Sequence, residues 1–160
     1  MPPIVAKFGG TSLADAAQFR KVQAIIQADP DRRYVVVSAP GKRSADDTKV
    51  TDLLYACHER AAAGKPIDSA FAAIIDRYEQ IISELGLALD LTETFAQVKA
   101  TLLRESSPDY AASRGEFLNA HIMAALLGVA MVDTAEVIVF DPHGRLDREE
   151  TNRRLAGVLG

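Results

Sequence analysis

The sequence predicts an α/β fold with a largely parallel sheet, and three observations support that prediction. Residues 4–37 run through a short apolar segment, a helical pattern and a second short apolar segment, which is the order of a βαβ unit. The second segment, Tyr34-Val35-Val36-Val37, is continuous and rich in β-branched residues, as is typical of a central parallel strand. Later stretches repeat apolar residues at the spacing of helices.

Composition narrows the function classes. A chain of 160 residues with 48% hydrophobic residues fits one globular domain with a real core. The net charge of −4, without a basic cluster, argues against nucleic acid as the main partner. Cys57 is the single cysteine, so no internal disulfide is possible and a cytoplasmic location fits. No apolar run is long enough to span a membrane, and the N-terminus lacks a signal-peptide pattern.

The first strand, residues 4–8, ends at a candidate phosphate cradle. Lys7 lies near its end, Gly9 and Gly10 follow, and a helical pattern begins soon after. Unpaired amides at a helix start attract an anion, and glycines let a phosphate approach the backbone. A lysine at this edge adds positive charge where open α/β sheets bind ligands. The alternative interpretation is a simple tight turn.

The first helix is predicted from about Leu13 to Ala28, ending at Asp29-Pro30. In the purely structural interpretation, Thr11 or Ser12 is its N-cap, and Ser12 forms a capping box with Asp15. Its predicted core positions keep helical spacing; they are Leu13, Ala16, Phe19, Val22, Ile25 and Ile26.

The second strand runs into Ser38 and then into a polar segment, residues 41–50, before a helix that starts near Thr51. A polar loop at a strand end is typical of a mobile flap over a site. Two structural alternatives stay open: Thr51 as a plain N-cap, and the Ser38 hydroxyl bonding its own backbone.

Helices are predicted over about residues 51–63, 67–85 and 93–104. Their apolar stripes indicate core packing rather than chemistry. The predicted inward residues of the second and third of these helices are Ile67, Phe71, Ile74, Ile75, Tyr78, Ile81, Ile82, Leu85, Phe95, Val98, Leu102 and Leu103.

Ser113 opens the next predicted helix, which runs to Leu127, and Ser113 with Glu116 has the form of a capping box. Strands are then predicted at 129–132 and 137–140, followed by a turn at 141–144 and a helix over 147–155. The three histidines lack metal-ligand spacing, so no protein metal site is expected.

Four stretches together resemble a known family. Lys7-Phe8-Gly9-Gly10-Thr11-Ser12 resembles the opening signature of aspartate kinases, which belong to the amino-acid kinase superfamily. Residues 36–39 with 51–54, then Ser113-x-Gly115-Glu116, and more loosely residues 129–144 resemble later parts of that family in the same order. The resemblance implies a three-layer sandwich around a largely parallel sheet, of which residues 1–160 are the N-terminal, substrate-binding portion only. The family's nucleotide-binding half and regulatory domains would follow.

The resemblance also implies roles for individual residues. Lys7 would be catalytic, and would bind ATP phosphates together with Phe8, Gly9, Gly10 and Thr11. Ser38, Thr51 and Glu116 would bind the substrate aspartate, although the segment between the first two is longer here than in the family pattern. Glu116 suits the substrate ammonium group, while the capping interpretation competes for the same carboxylate. The implied cofactors are ATP and Mg²⁺, with the ion held mainly by ATP phosphates.

The implied activity is ATP-dependent phosphorylation of the side-chain carboxylate of L-aspartate, the first step toward lysine, threonine and methionine. The full-length enzyme would be a homo-oligomer, and the 160-residue portion alone would be inactive. Two alternatives remain. One is another kinase of the superfamily, acting on glutamate, acetylglutamate, carbamate or a nucleotide. The other is a non-catalytic binding or assembly module.

Overall fold

The computed structural model describes residues 2–104 and 107–159, which form two compact units, Met1–Val129 and Ala130–Gly160. The first unit contains β1 (Val5–Phe8), a 3-10 helix (Gly10–Leu13), α1 (Ala16–Gln27), β2 (Tyr34–Val37), α2 (Val50–Ala62), α3 (Asp68–Leu85), α4 (Thr92–Arg104) and α5 (Pro108–Leu127). The second contains α6 (Thr134–Val137) and α7 (Arg148–Leu159).

Strands β1 and β2 pair in parallel, in a register that places Val5 opposite Tyr34 and Phe8 opposite Val37. The connection between them is α1, so the predicted βαβ unit and α/β class are confirmed. Both strands therefore end at the same edge, where the Ser38 amide donates to the Phe8 carbonyl at 3.0 Å.

One face of this sheet is covered and the other is open within the described residues. Phe8, Val35 and Val37 pack against the hydrophobic core. On the opposite face Val5 is 64% exposed and Val36 is 45% exposed. The sequence predicts a central parallel strand at Tyr34–Val37, and in the described chain this strand pairs with β1 and is covered by helices on one face.

The helical stripes form the core largely as predicted. Phe71, Ile74 and Tyr78 of α3 are fully buried, and Gly86 ends that helix with a left-handed φ of 70°. Burying one such large side chain stabilises the fold by about 1.5–3 kcal/mol. Two predicted core positions are wrong, since Ile25 is 49% exposed and Leu103 is 52% exposed.

The start of α1 differs from the prediction. Asp15 is the N-cap, and its carboxylate accepts from the Gln18 amide at 2.9 Å. The predicted capping box between Ser12 and Asp15 is therefore wrong. An aspartate caps a helix as well as a serine does, and here the residues before it form a separate 3-10 turn.

The starts of α2 and α5 also differ. Lys49 is the N-cap residue of α2, so Thr51 lies inside the helix and is not its cap. Helix α5 starts at Pro108, with the Ser107 hydroxyl accepting from the Tyr110 amide at 3.0 Å. The predicted capping box at Ser113 is wrong, because a Ser-Pro pair upstream provides a better helix start.

The second unit contains no regular strand among its described residues. The predicted strands at 129–132 and 137–140 are wrong, and only an isolated antiparallel bridge joins Phe140 to Leu146. Asp133 instead caps a helical turn by accepting from the Ala135 amide at 2.9 Å. The predicted final helix is present as α7.

None of the helices that the structure describes is both long enough and apolar enough to cross a lipid bilayer.

Candidate functional site

The end of β1 forms an open glycine corner, which we define as residues Gly9, Gly10 and Thr11. Gly9 is exposed, and a Cβ atom placed on it would meet nothing within 4 Å. The Gly10 and Thr11 amides, in the first turn of the 3-10 helix, donate to no acceptor in residues 2–104 or 107–159. The corner can therefore admit an anion to free backbone donors.

A close backbone contact fixes the inner side of this corner. The Gly41 amide donates to the Gly10 carbonyl at 2.9 Å. A Cβ on Gly10 would lie 2.8 Å from the Ala39 carbonyl oxygen, and one on Gly41 would lie 2.7 Å from the Gly10 carbonyl carbon. Only glycine fits at these two positions without moving the backbone. The corner is thus held against the chain that continues from β2.

Lys7 lies on the open face of the sheet, opposite Val36 in the register. Its side chain is exposed, and within the described residues it makes no ion pair or hydrogen bond. The ammonium group is therefore available to an anionic ligand beside the glycine corner.

Ser38 directly follows β2 and is held through its main chain. Its amide donates to the Phe8 carbonyl, and its own carbonyl accepts from Asn119 Nδ2 at 2.6 Å. The Ser38 hydroxyl has no hydrogen-bond partner among the residues that the structure describes. The alternative in which this hydroxyl bonds its own backbone is therefore not observed.

Thr51 is the second residue of α2, and the first turn of that helix is attached to the same segment. The Val50 amide donates to the Pro40 carbonyl at 3.2 Å. Since Lys49 occupies the N-cap position without a side-chain cap bond, the capping explanation for Thr51 does not apply. Its half-buried hydroxyl remains available to a ligand.

Glu116 projects from α5 with an exposed side chain. Because α5 begins at Pro108, Glu116 lies well inside the helix and does not serve as a cap. In the described part of the chain its carboxylate has neither an ion pair nor a hydrogen bond. The competing structural role for this carboxylate is therefore removed.

The segments that carry these predicted residues are connected at the carboxyl edge of the two strands. Lys7 and Ser38 lie at the ends of adjacent parallel strands. Helix α5 reaches the same edge through Asn119, and through Gly115, where an added Cβ would lie 2.6 Å from Ala39 Cβ. Helix α2 joins them through the bond from its first residue to Pro40. The segments that carry Lys7, Ser38, Thr51 and Glu116 are therefore joined to one another near this edge.

Two buried polar residues support this edge. The sequence analysis predicts Tyr78 only as a core residue and does not single out Asn119. Asn119 is fully buried, and its Oδ1 has no partner in the described structure. Tyr78 is also fully buried, and its hydroxyl donates to the Gly115 carbonyl at 2.7 Å. Burial raises the pKa of Tyr78 well above its usual value, so the hydroxyl remains a donor. A polar residue within the apolar run of α5 was the available signal for Asn119.

A second cluster lies in the polar loop, and we call it the arginine clasp: Arg43, Asp47 and Arg77. Arg77 is 5% exposed, and it donates through Nη1 to Asp47 Oδ2 at 2.7 Å and through Nη2 to the Gly41 carbonyl at 2.6 Å. Arg43 contacts the same carboxylate through Nε at 2.9 Å and Nη2 at 3.0 Å. The Arg43 hydrogen bonds, followed by those of Arg77, hold the pKa of Asp47 well below its usual range. These bonds attach the loop that the sequence predicts to be a mobile flap to helix α3.

A cleft of about 300 Å³ lies beside this clasp rather than at the glycine corner. It is lined mainly by charged and polar groups, including Arg43, Asp76 and Gln80. None of the residues predicted from the sequence to bind a ligand lines this cleft.

Across residues 2–104 and 107–159, no group of three or more histidine, cysteine, aspartate or glutamate side chains is placed to hold a metal ion.

Comparison with known proteins shows what this chain is similar to. The sequence model of the Amino acid kinase family matches residues 2–156. Aspartokinase 3 of Bacillus subtilis is 45% identical over 127 residues, which cover 76% of this chain and 28% of that protein. The chloroplastic bifunctional aspartokinase/homoserine dehydrogenase 1 of Arabidopsis thaliana is 26% identical over 160 residues, covering 86% of this chain and 17% of its own length.

Solved structures show the same fold. The aspartate kinase of Clostridium acetobutylicum matches with a TM-score of 0.93 and 44% identity, covering 98% of this chain and 36% of that chain. Aspartokinase III of E. coli, in complex with aspartate and ADP, matches with a TM-score of 0.73 and 22% identity, over 98% of this chain and 37% of that one. The chain thus spans less than two fifths of the length of these relatives.

Proposed function

Because the chain belongs to the amino acid kinase family, we propose that it is the N-terminal, aspartate-binding part of an aspartate kinase. Such an enzyme transfers the γ-phosphoryl group of ATP to the side-chain carboxylate of L-aspartate. The observation that carries the proposal is that the segments bearing Lys7, the glycine corner, Ser38 and Glu116 are joined near one strand edge, and that these groups have no hydrogen-bond partner within the described residues. The 45% identity to an aspartokinase supports the choice of substrate.

The phosphoryl group would bind at the glycine corner. The Gly10 and Thr11 amides can donate to its oxygens, and the bare Gly9 lets it approach the main chain next to Phe8. Lys7 would neutralise the charge that develops on the transferring group. Electrostatic stabilisation and positioning supply most of the catalysis in phosphoryl transfer, and these residues are suited to both.

The amino acid would bind on the other side of the same edge. Glu116 would accept hydrogen bonds from the substrate ammonium group, because its carboxylate is exposed and has no other partner among the described residues. Ser38 and Thr51 would donate their hydroxyls to the substrate carboxylates. The side-chain carboxylate would then face the phosphate held at the glycine corner.

The reaction needs little proton chemistry. The substrate carboxylate is already ionised at neutral pH, so no general base is required. A new bond forms between a carboxylate oxygen and the γ-phosphorus, while the bond from that phosphorus to the β–γ bridging oxygen breaks. ADP leaves with that electron pair, and the product is an acyl phosphate. The product would feed the biosynthesis of lysine, threonine and methionine in the cytoplasm.

A magnesium ion would accompany ATP and be held mainly by its phosphates. The donor set of this chain fits that arrangement, because the described residues offer no carboxylate cluster at the strand edge and Glu116 is a single carboxylate. The rest of the nucleotide would bind to protein outside this chain, since the relatives are much longer. We also propose that the full-length enzyme is a homo-oligomer.

The direct test is Lys7→Ala in the full-length protein, with aspartyl phosphate trapped as its hydroxamate. Loss of a charge aimed at the transferring group should lower kcat by about 10²–10³-fold. The melting temperature should not change, because the Lys7 side chain is exposed and forms no ion pair or hydrogen bond within the described residues. Lys21→Ala, an equally exposed lysine on α1, is the matched control.

Wild-type turnover in Lys7→Ala would refute the role assigned to this lysine. A substrate panel tests the alternatives: phosphorylation of glutamate, acetylglutamate, carbamate or a nucleotide in preference to aspartate would indicate another kinase of the family. The 160-residue chain alone should show no ATP turnover, and aspartate-dependent ADP release by it would contradict the division of labour proposed above.

A further inference from the structure

The arginine clasp contains a buried charge that packing alone does not explain. Arg77 lies on α3, beside the apolar stripe, and is 5% exposed. A buried guanidinium is expensive unless its donors are paired. Both of its hydrogen-bond partners, the Gly41 carbonyl and Asp47, belong to the loop between β2 and α2. The charge is therefore committed to holding that loop.

A single residue, Gly41, connects Arg77 to the glycine corner. Gly41 accepts from Arg77 through its carbonyl at 2.6 Å and donates through its amide to the Gly10 carbonyl at 2.9 Å. Both main-chain polar groups of Gly41 are thus used. Gly10 and Gly41 have no side chains between them, so a shift of Gly41 moves the Gly10 peptide directly.

The second partner, Asp47, fixes the far part of the loop. Its carboxylate is 14% exposed and joins the buried Arg77 to the more exposed Arg43. Such charge-assisted bonds are the strong class of hydrogen bond. Asp47 lies in the polar loop between Ser38 and Thr51, so the bond from Arg77 ties this loop to α3.

We infer that Arg77 is a positioning residue, which acts through Gly41 and Asp47 to set the glycine corner relative to Ser38 and Thr51. The inference rests on the proposed function, because it assigns a catalytic purpose to that geometry. Arg77 itself contacts neither the corner nor any proposed substrate ligand in the described structure. Its effect on phosphoryl transfer is therefore indirect.

The test uses Arg77→Met, Arg77→Lys and Asp47→Asn in the full-length protein. Steady-state kinetics are measured at a temperature where each variant is folded, and amide exchange at Gly41 is followed by NMR. A displaced corner should lower kcat/KM for aspartate by about 10–100-fold in Arg77→Met. The Gly41 amide should exchange faster, while core amides of α3 do not. Arg77→Lys, which keeps the charge, should recover part of the loss.

Arg60→Met is the matched control. Arg60 also lies on a helix and donates to a backbone carbonyl, that of Pro66 at 2.9 Å, but within the described residues it forms no hydrogen bond or ion pair with the clasp or the corner. It should leave kcat and both KM values unchanged. Asp47→Asn keeps the test decisive if Arg77→Met fails to fold, because it preserves side-chain shape and leaves the bond from Arg77 to Gly41.

Wild-type kinetic constants in folded Arg77→Met and Asp47→Asn would overturn the inference and leave Arg77 a purely structural residue. Unchanged exchange at Gly41 in folded Arg77→Met would overturn it as well, since that substitution removes the bond through which the proposed transmission passes. Failure of the proposed function looks different, because the wild-type protein would then show no aspartate-dependent turnover at all. That outcome would overturn both.

Discussion

Substituting Gly115 by alanine should separate α5 from the strand edge that it supports. Gly115 is buried in the middle of α5, and a Cβ added to it would lie 2.6 Å from Ala39 Cβ and 3.3 Å from Leu54 Cδ1. A separation of 2.6 Å between two methyl carbons is well inside their contact distance. Helix α5 must therefore move away from Ala39, or the chain after β2 must move.

Two opposing contributions set the magnitude. Alanine favours a helix over glycine by about 1 kcal/mol. Overpacking of a well-filled site costs about 1–3 kcal/mol. We therefore expect Gly115→Ala to lower the free energy of unfolding by about 1 kcal/mol, and by about 2 at most. Glu116 is the next residue, so its carboxylate should move relative to Ser38, and KM for aspartate should rise.

Urea unfolding followed by circular dichroism measures the stability change, and full-length kinetics measure the KM. Gly157→Ala in α7 is the matched control, because a Cβ atom placed on that glycine would meet nothing within 4 Å among the described residues. It should be neutral or slightly stabilising. The double substitution Gly115→Ala with Ala39→Gly removes the facing methyl group, so it should restore much of the lost stability as a favourable coupling energy.

A Gly115→Ala protein as stable as the wild type, with an unchanged KM and no coupling to position 39, would show that α5 is not held at this distance. The close approach of α5 to Ser38 would then have no functional weight.

Three further predictions concern titration and reactivity. Arg43 depresses the pKa of Asp47 in the folded state, so the stabilisation from this carboxylate is present above about pH 4 and is lost as the pH falls further. The difference in the free energy of unfolding between wild type and Asp47→Asn, measured by urea titration, should be about 2 kcal/mol at pH 7 and should shrink by pH 3. A difference that does not change with pH would contradict this. Arg153, followed by Arg154, lowers the pKa of Glu150 to about 2. An NMR titration of the Glu150 carboxyl carbon should show this midpoint, and a midpoint near 4.5 would contradict the prediction. Burial raises the pKa of the fully buried Cys57, so iodoacetamide should modify it slowly until urea unfolds the chain, and rapid labelling of the native protein would show the core is open there.

Much of the first unit could be predicted from local patterns. The stripe of α3 and the strand of Tyr34 are long or strongly β-branched, so their period is unambiguous. Helix starts were less predictable, because Ser12, Asp15 and Ser113 are all acceptable caps and only the fold decides between them. Apolar runs such as residues 137–140 satisfy a strand pattern, but a strand also needs a paired neighbour, and in the described chain the pairing is limited to an isolated bridge from Phe140 to Leu146.

The residues of the candidate site also differ in how readily the sequence predicts them. The free groups of Lys7 and Glu116 lie in short motifs that can be read from the sequence alone. The role of Arg77 could not be predicted from the sequence, because a charged residue beside an apolar stripe is usually solvated. Its burial depends on bonds to a distant loop, and the nearer of its two partners in sequence, Asp47, is 30 positions away.

The open face of the parallel pair has a practical consequence for anyone who purifies this chain. Val5 and Val36 offer water a bare aliphatic surface, and in the described residues each strand has one side with unsatisfied main-chain groups. Such a surface is a ready template for sticking to a second molecule. Concentrated samples should consequently be handled in low-salt buffer well above the isoelectric point of about 5.4, where mutual repulsion keeps the molecules apart.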